Sequence, residues 1–309
     1  MSRRKRSQSA KKPDARWRGG MMRTYLFLKF LWRVLGLAPT RVGYPAAHFV
    51  GDIAFLFSRR SKGVVLDNLR RVLGTDDQRK LRPVAREVFR NLARSYFDVM
   101  RLPHVSPAEV ERGLTIHGWD LFQEAFAWGK GVILATAHLG NFDLAAQLWA
   151  FRGYKVTVLV EPLLHDPRGR LMTHLRECHG LSFVPLGTPA LKRVVRELRS
   201  GGVVIVACDR DIGGKGVRVK FLGEETNLPS GAVELALITG AAIIPVFSVR
   251  DGGRHFSLFF EPPVPMSGGE RNGRQTAENL EKLLSVVGEY VRRYPEQWVL
   301  TEPVWSRSG

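Results

Sequence analysis

From Leu114 onward, short apolar runs alternate with segments of helical periodicity, and nothing else in the 309-residue chain constrains its fold as strongly. The strand-like runs are Leu114–His117, Val132–Ala135, Lys155–Val160, Ser182–Pro185, Val203–Ala207, Val217–Phe221, Ala242–Val249 and Phe256–Phe260. Between and after them come helix-like segments: Trp119–Ala127, Phe142–Phe151, Arg168–Cys178, Pro189–Ser200, Gly231–Thr239 and Gln275–Arg293. Strands covered on both faces read as continuous Val/Ile/Leu runs, and helices between them act as crossovers. The pattern predicts an α/β fold with a central, mostly parallel or mixed sheet flanked by helices. Upstream, residues 77 to 101 predict an amphipathic helix. Leu81, Val84, Val88, Phe89, Leu92, Tyr96, Phe97 and Met100 recur there at three- and four-residue steps. Arg82, Arg86, Arg90 and Arg94 fall on its other faces and read as solvated charges.

Chemistry is suggested where one of these strands turns into its helix. Ala137-His138-Leu139-Gly140-Asn141-Phe142-Asp143 follows the apolar run Gly131–Thr136. Five residues is a poor helical spacing, since at about 100° per residue the side chains of His138 and Asp143 would diverge. A turn beyond a strand's carboxyl end lets them meet, and α/β proteins bind ligands there. Asn141 can cap the following helix, with Asp143 in its first turn. Asp143 is expected to accept a hydrogen bond from one ring nitrogen of His138, leaving the other as a base. Such a base can take the proton of an alcohol attacking an acyl carbonyl. Gly140 permits close backbone or substrate approach. The competing reading is a surface or capping pair without chemistry. The chain has neither a Gly-x-Ser-x-Gly elbow nor a phosphate loop ending in Gly-Lys-Ser/Thr, which favours direct transfer over a covalent enzyme intermediate.

A second set of charges, Asp209-Arg210-Asp211, directly follows the strand Val203–Ala207 and Cys208, and so is also expected at the cleft. A carboxylate there can hydrogen-bond sugar hydroxyls or help to orient His138. Gly213-Gly214-Lys215-Gly216 reads as a flexible loop beside it. Glu224 follows another strand and is expected to face the cleft. Pro229-Ser230-Gly231 begins a helix whose free amides suit a phosphate or carbonyl oxygen.

Net charge is +18. Residues 1 to 23 carry nine basic side chains against Asp14 alone and read as a disordered tail. The remainder is basic in its own right, which suits anionic lipid or nucleic acid. Residues 24 to 38 are apolar but shorter than the ~20 residues that span a bilayer. They and the run Tyr44 to Phe57, which contains His48 and Asp52, read as interfacial helices or as a buried hairpin. A break near Ser106 would divide a helical membrane-associating region, 24 to 105, from an α/β domain, 106 to 309. Two isolated cysteines suggest a reducing compartment, and the histidines have no metal-ligand spacing, so neither a disulfide framework nor a metal is expected.

His-x4-Asp after an apolar strand resembles the signature of glycerolipid and lipid A acyltransferases. The Phe-Pro-Glu-Gly block usual in the glycerol-phosphate branch is absent. Instead, Asp209-Arg210-Asp211, Val217–Glu224 and Leu228-Pro229-Ser230-Gly231-Ala232 follow in order. That order is similar to the lipid A biosynthesis (lauroyl/myristoyl) acyltransferase family, most of all the branch that acylates phosphatidylinositol mannosides. Arg210 fits that branch, and Tyr294–Trp298 with Pro303-Val304-Trp305 resemble the family's C-terminal signature. The likeness runs from about Arg41 to Trp305. It implies a membrane-associated O-acyltransferase on the cytoplasmic face of the inner (plasma) membrane. The implied donor is an acyl thioester, acyl-CoA or acyl carrier protein, the implied acceptor a glycolipid hydroxyl, and no cofactor is needed. It also places Glu161 and Arg176 near the cleft, Arg176 as a ligand for a phosphate of donor or acceptor. The alternatives are a lysophospholipid acyltransferase, a thioesterase using the same pair to activate water, and, from charge alone, a nucleic-acid-binding protein. No RNA-reading motif interleaves aromatics with the basic residues, and nucleic acid would leave residues 24 to 57 unexplained.

Overall fold

Seven strands form one mixed sheet, and its strand order explains where the chain concentrates its polar groups. In the computed structural model, which describes residues 29–30, 32–160, 167–211, 213–267 and 273–305, nine strands are resolved. They are β1 (Leu114–His117), β2 (Val132–Thr136), β3 (Val156–Val160), β4 (Ser182–Pro185), β5 (Val203–Ala207), β6 (Val217–Phe221), β7 (Glu224–Leu228), β8 (Ala242–Gly252) and β9 (His255–Phe260). The sheet order is β1-β9-β8-β2-β5-β3-β4, while β6 and β7 pair separately. Within the sheet only β8 and β9 run antiparallel. β2 sits centrally between β8 and β5, and all five of its residues are buried. That is why it reads as an unbroken apolar run.

The helices are α1 (Thr40–Phe57), α2 (Arg59–Leu73), α3 (Gln78–Arg101), α4 (Pro107–Gly113), α5 (Trp119–Ala127), α6 (Phe142–Phe151), α7 (Pro167–Arg176), α8 (Thr188–Arg199), α9 (Gly231–Thr239) and α10 (Gly273–Arg293). Two apolar cores cover the two sheet faces. Phe122 of α5 and Leu148 and Trp149 of α6 pack with Leu134, Ile244 and Phe260 on one face. Leu198 of α8, Val233 of α9 and Leu284 of α10 pack with Ile133, Val204 and Phe247 on the other. The alternation of inward side chains along β2 divides them: Val132 and Leu134 face one core, Ile133 and Ala135 the other.

Sequence periodicity misses three elements. β7 forms because Leu222 and Gly223, both with positive φ (53° and 99°), make a two-residue hairpin turn after β6. Its alternation of single buried and exposed residues is too short to stand out. α2 and α4 are arginine-rich or very short. The basic tail, 1–23, and residues 24–28 of the first apolar run lie outside the described residues. The second apolar run does form a helix, α1, and its flank bearing Val42, Phe49, Val50, Ile53, Leu56 and Phe57 is exposed. Among the described residues no helix is long and apolar enough to cross a membrane. Association with one is left to the proposal below.

α3 differs from a simple amphipathic helix in its polar residues. Arg86 is exposed, as solvated charges are, and Arg90 is partly buried, but neither is unpaired. Both grip Asp52 of α1 at 2.6–2.8 Å, and their hydrogen bonds hold its carboxyl well below the usual carboxylate range. Asp98 is buried on the same helix. It accepts hydrogen bonds from Tyr44 Oη (3.0 Å), Asn141 Nδ2 (2.7 Å) and Arg250 Nη2 (2.8 Å). Arg250 is equally buried, so removing it strands a carboxylate away from water. We expect Arg250→Met to cost about 3–5 kcal/mol, read as a lowered urea midpoint at unchanged slope.

Candidate active site

The carboxyl ends of β2 and β5 bring together two turns 71 residues apart. Thr136 pairs with Ala207 at the end of the β2–β5 ladder. Two residues further along each strand stand His138 and Asp209. His138 Nδ1 donates to Asp209 Oδ1 at 2.8 Å, and the His138 backbone N–H donates to Oδ2 at 2.8 Å. Trp298 Nε1 also donates to Oδ2, at 2.8 Å. Asp209 is 0% exposed. Burial pushes its carboxyl pKa up, but the charge of His138 and these three hydrogen bonds outweigh it and hold the group below the usual range. An ionised acceptor on Nδ1 fixes the proton there, leaving Nε2 as the ring's lone-pair nitrogen.

The expected His138–Asp143 hydrogen bond is not made. Asn141 does cap α6, its Oδ1 accepting from Leu144 N at 3.2 Å, and Asp143 does fall in the first turn. The helix then points the Asp143 carboxylate at α7, where Arg176 Nη2 donates to Oδ2 at 2.8 Å and Nε lies 2.8 Å from Oδ1. Asp143 therefore neutralises Arg176, which is held rather than free. Both line the same cavity as His138.

The remaining predicted residues divide. Arg210 lines the cavity, with Nη1 3.2 Å from Glu302 Oε2. Asp211 instead ties its own loop, accepting from Gly216 N at 2.6 Å. Glu224 is placed away from the cavity wall: at the start of β7 it accepts from Arg71 Nε of α2 at 2.7 Å. Glu161 lies outside the described residues. Pro229 and Gly231 do reach the cavity. Among the described residues no group of three or more His, Cys, Asp or Glu side chains could hold a metal ion.

Residues that periodicity gives no reason to pick hold the turn. Gly140 has φ +60°, and a Cβ on it would lie 1.8 Å from the Ser248 carbonyl oxygen of β8, so only glycine lets the turn press on that strand. Gly140 N donates to Gln297 O at 2.9 Å, and Val299 N donates to His138 O at 2.9 Å. The Gln297 side chain bonds both backbone groups of Arg250. Asp98, already fixed by Arg250, holds Asn141. The C-terminal segment thus braces the turn. The aromatic and amide residues of Tyr294–Trp298 were its only trace in the sequence.

Beneath His138 opens a cavity of about 610 Å³. Its wall is mostly apolar: Ala145, Ala146 and Trp149 of α6, Val158 of β3, Ile205 of β5 and Leu258 of β9. Its polar lining includes His138 and Arg210 beyond strand ends and Asp143 and Arg176 on α6 and α7. Such a volume and lining suit a ligand with a long apolar body and a reactive polar end.

Comparisons with known proteins agree on chemistry. The sequence model of the bacterial lipid A biosynthesis acyltransferase family matches residues 14–307. The phosphatidylinositol mannoside acyltransferase of Mycobacterium tuberculosis is 29% identical over 244 residues, covering 77% of this chain and 75% of that one. That of Mycolicibacterium smegmatis is 27% identical over 242 residues, covering 77% of each. The solved 1-acyl-sn-glycerophosphate acyltransferase PlsC of Thermotoga maritima aligns with a TM-score of 0.36 at 14% identity, covering 85% of this chain and 97% of that one. That structural likeness is too slight to add to the argument.

Proposed function

The chain belongs to the bacterial lipid A biosynthesis acyltransferase family and is an acyltransferase, and from that premise we propose that it moves a fatty acyl group from a thioester to a hydroxyl of a glycolipid of the phosphatidylinositol mannoside type. The observation that carries the reading is the buried Asp209–His138 pair at the head of an apolar cavity. The acyl chain lies among Trp149, Ile205 and Leu258, which leaves its thioester carbonyl near His138. Nε2 takes the proton of the acceptor hydroxyl as its oxygen attacks that carbonyl. Asp209 stabilises the imidazolium that forms. When the tetrahedral intermediate collapses, the C–S bond breaks and the proton passes from Nε2 to the departing thiolate. Ester and free thiol are the products, and no oxidant or metal is consumed.

Arg176 and Arg210, each already paired with a carboxylate, present guanidinium N–H donors to the phosphates of an acyl-CoA, an acyl carrier protein or an anionic acceptor. The exposed apolar flank of α1 and the net positive charge favour work at an anionic membrane surface, where a glycolipid acceptor resides. The cytoplasmic face of the plasma membrane fits a thioester donor.

Purified protein given a long-chain acyl-CoA and a phosphatidylinositol mannoside in mixed micelles should yield the glycolipid one acyl mass heavier, with equimolar thiol. Thiol release without acylated glycolipid would instead mark a thioesterase. Acylation of an added lysophospholipid alone would mark the phospholipid branch.

A further inference from the structure

Acyl transfer builds negative charge on the carbonyl oxygen, and a preorganised donor usually meets it. Three amides of the turn carrying His138 are already engaged. The N–H of His138 goes to Asp209, that of Leu139 to Ala137 O, and that of Gly140 to Gln297 O. A side-chain donor on the neighbouring strand would add to what remains.

β8 lies beside β2 in parallel, with Ala135 level with Pro245. Three residues on from that pair stand His138 and Ser248. The backbone of Gly140, two residues on from His138, presses against the Ser248 carbonyl. Along β8, Val246 and Ser248 face the cavity side while Phe247 and Val249 enter the opposite core. Ser248 is 3% exposed and lines the cavity, and its hydroxyl oxygen, itself buried, has no hydrogen-bond partner among the described residues. A buried hydroxyl without a partner is costly, and native proteins seldom keep one without a use. Since Oγ gives up no bond by rotating about χ1, it is free to turn to a ligand.

We propose that Ser248 is a catalytic residue whose hydroxyl donates to the acyl carbonyl oxygen and to the oxyanion that replaces it. The inference rests on the acyl-transfer reading of this cavity. As the acceptor oxygen bonds to the carbonyl carbon, the C=O π pair moves onto the oxygen facing Ser248. It returns when the C–S bond breaks. Ser248 keeps its proton throughout.

The test compares His138→Ala, Ser248→Ala and Ser248→Thr with wild type, using long-chain acyl-CoA and phosphatidylinositol mannoside micelles, with thermal unfolding alongside. Ser248→Ala should lower kcat about 100-fold with KM within threefold. Its Tm should be equal or higher, because the substitution removes an unsatisfied buried hydroxyl. Ser248→Thr restores the donor and should recover at least tenfold of that loss. A purely structural serine would instead lower Tm and activity together. A kcat within threefold for Ser248→Ala, or equal loss in both variants at unchanged Tm, overturns the inference. If His138→Ala is itself active, the acyl-transfer reading of the site fails. If His138→Ala is dead and Ser248→Ala is not, only the role of Ser248 fails.

Discussion

Asp209→Asn is expected to cut acyl transfer by about 10³–10⁴-fold, the size of loss that a wrong imidazole tautomer produces in catalytic triads. The geometry dictates the tautomer. Oδ2 receives two N–H donors, from His138 N and Trp298 Nε1, while Oδ1 receives one. An asparagine keeps its single carbonyl oxygen where two donors need it. Its amide N–H then faces Nδ1, which can accept only by giving its proton up to Nε2. The base is thereby filled with a proton before substrate arrives. Asp143→Asn is the control: it loosens Arg176 but leaves the tautomer alone, so its pH–rate profile should keep the wild-type acidic limb, the one on which a general base titrates. If Asp143→Asn reproduces the kcat loss and Asp209→Asn does not, the pairing proposed here is wrong.

The same substitution has a pH signature in stability. The carboxyl of Asp209 lies below its ordinary value of 3.8 in the folded protein. A depressed carboxylate stabilises the fold above its unfolded pKa and loses that contribution as pH falls through its folded pKa. The stability gap between wild type and Asp209→Asn should therefore be constant near neutrality and begin to close below about pH 4. Denaturant midpoints from pH 7 down to 3 measure it, and a gap that widens in acid would contradict the ionised state.

His138→Ala is the second large effect. Losing the base should reduce transfer by about 10²–10⁴-fold, while circular dichroism shows the fold retained and the unfolding midpoint falls, because the buried Asp209 carboxylate loses its ring partner. The ring is partly open to the cavity, with a side chain 23% exposed, and its one core contact is the edge-on Phe142 at 5.5 Å. Little packing is therefore lost. Transfer within tenfold of wild type would remove His138 from the chemistry.

Much of this was legible beforehand because it is local. Unbroken Val/Ile/Leu runs between amphipathic segments specify a sheet covered on both faces, and the ranges of β1, β4, β5, β6, α5, α6 and α9 read directly from the sequence. His138 on a strand-to-helix turn, Asn141 as cap and Gly140 as the point of close approach are likewise local consequences of residue type. Periodicity was blind to α2 and β7, whose patterns are charged or short. It also missed the pairing of Arg86 and Arg90 with Asp52, which sits on another helix.

What sequence could not supply is which polar groups face each other across the sheet. Asp143 looked like the partner of His138 because it is five residues away. The first turn of α6 carries it toward Arg176, and the β2–β5 ladder brings in Asp209 from 71 residues away. Glu224 and Arg210, close in the chain to the same cleft motifs, go to different places: one to Arg71, one to the cavity. The sequence by itself determined the layers of the fold and the strand end at which a base would stand. Only tertiary structure decided that base's carboxylate, its bracing by Trp298 and Gln297, and the serine beside it, since strand order and register are long-range pairings that no local pattern encodes.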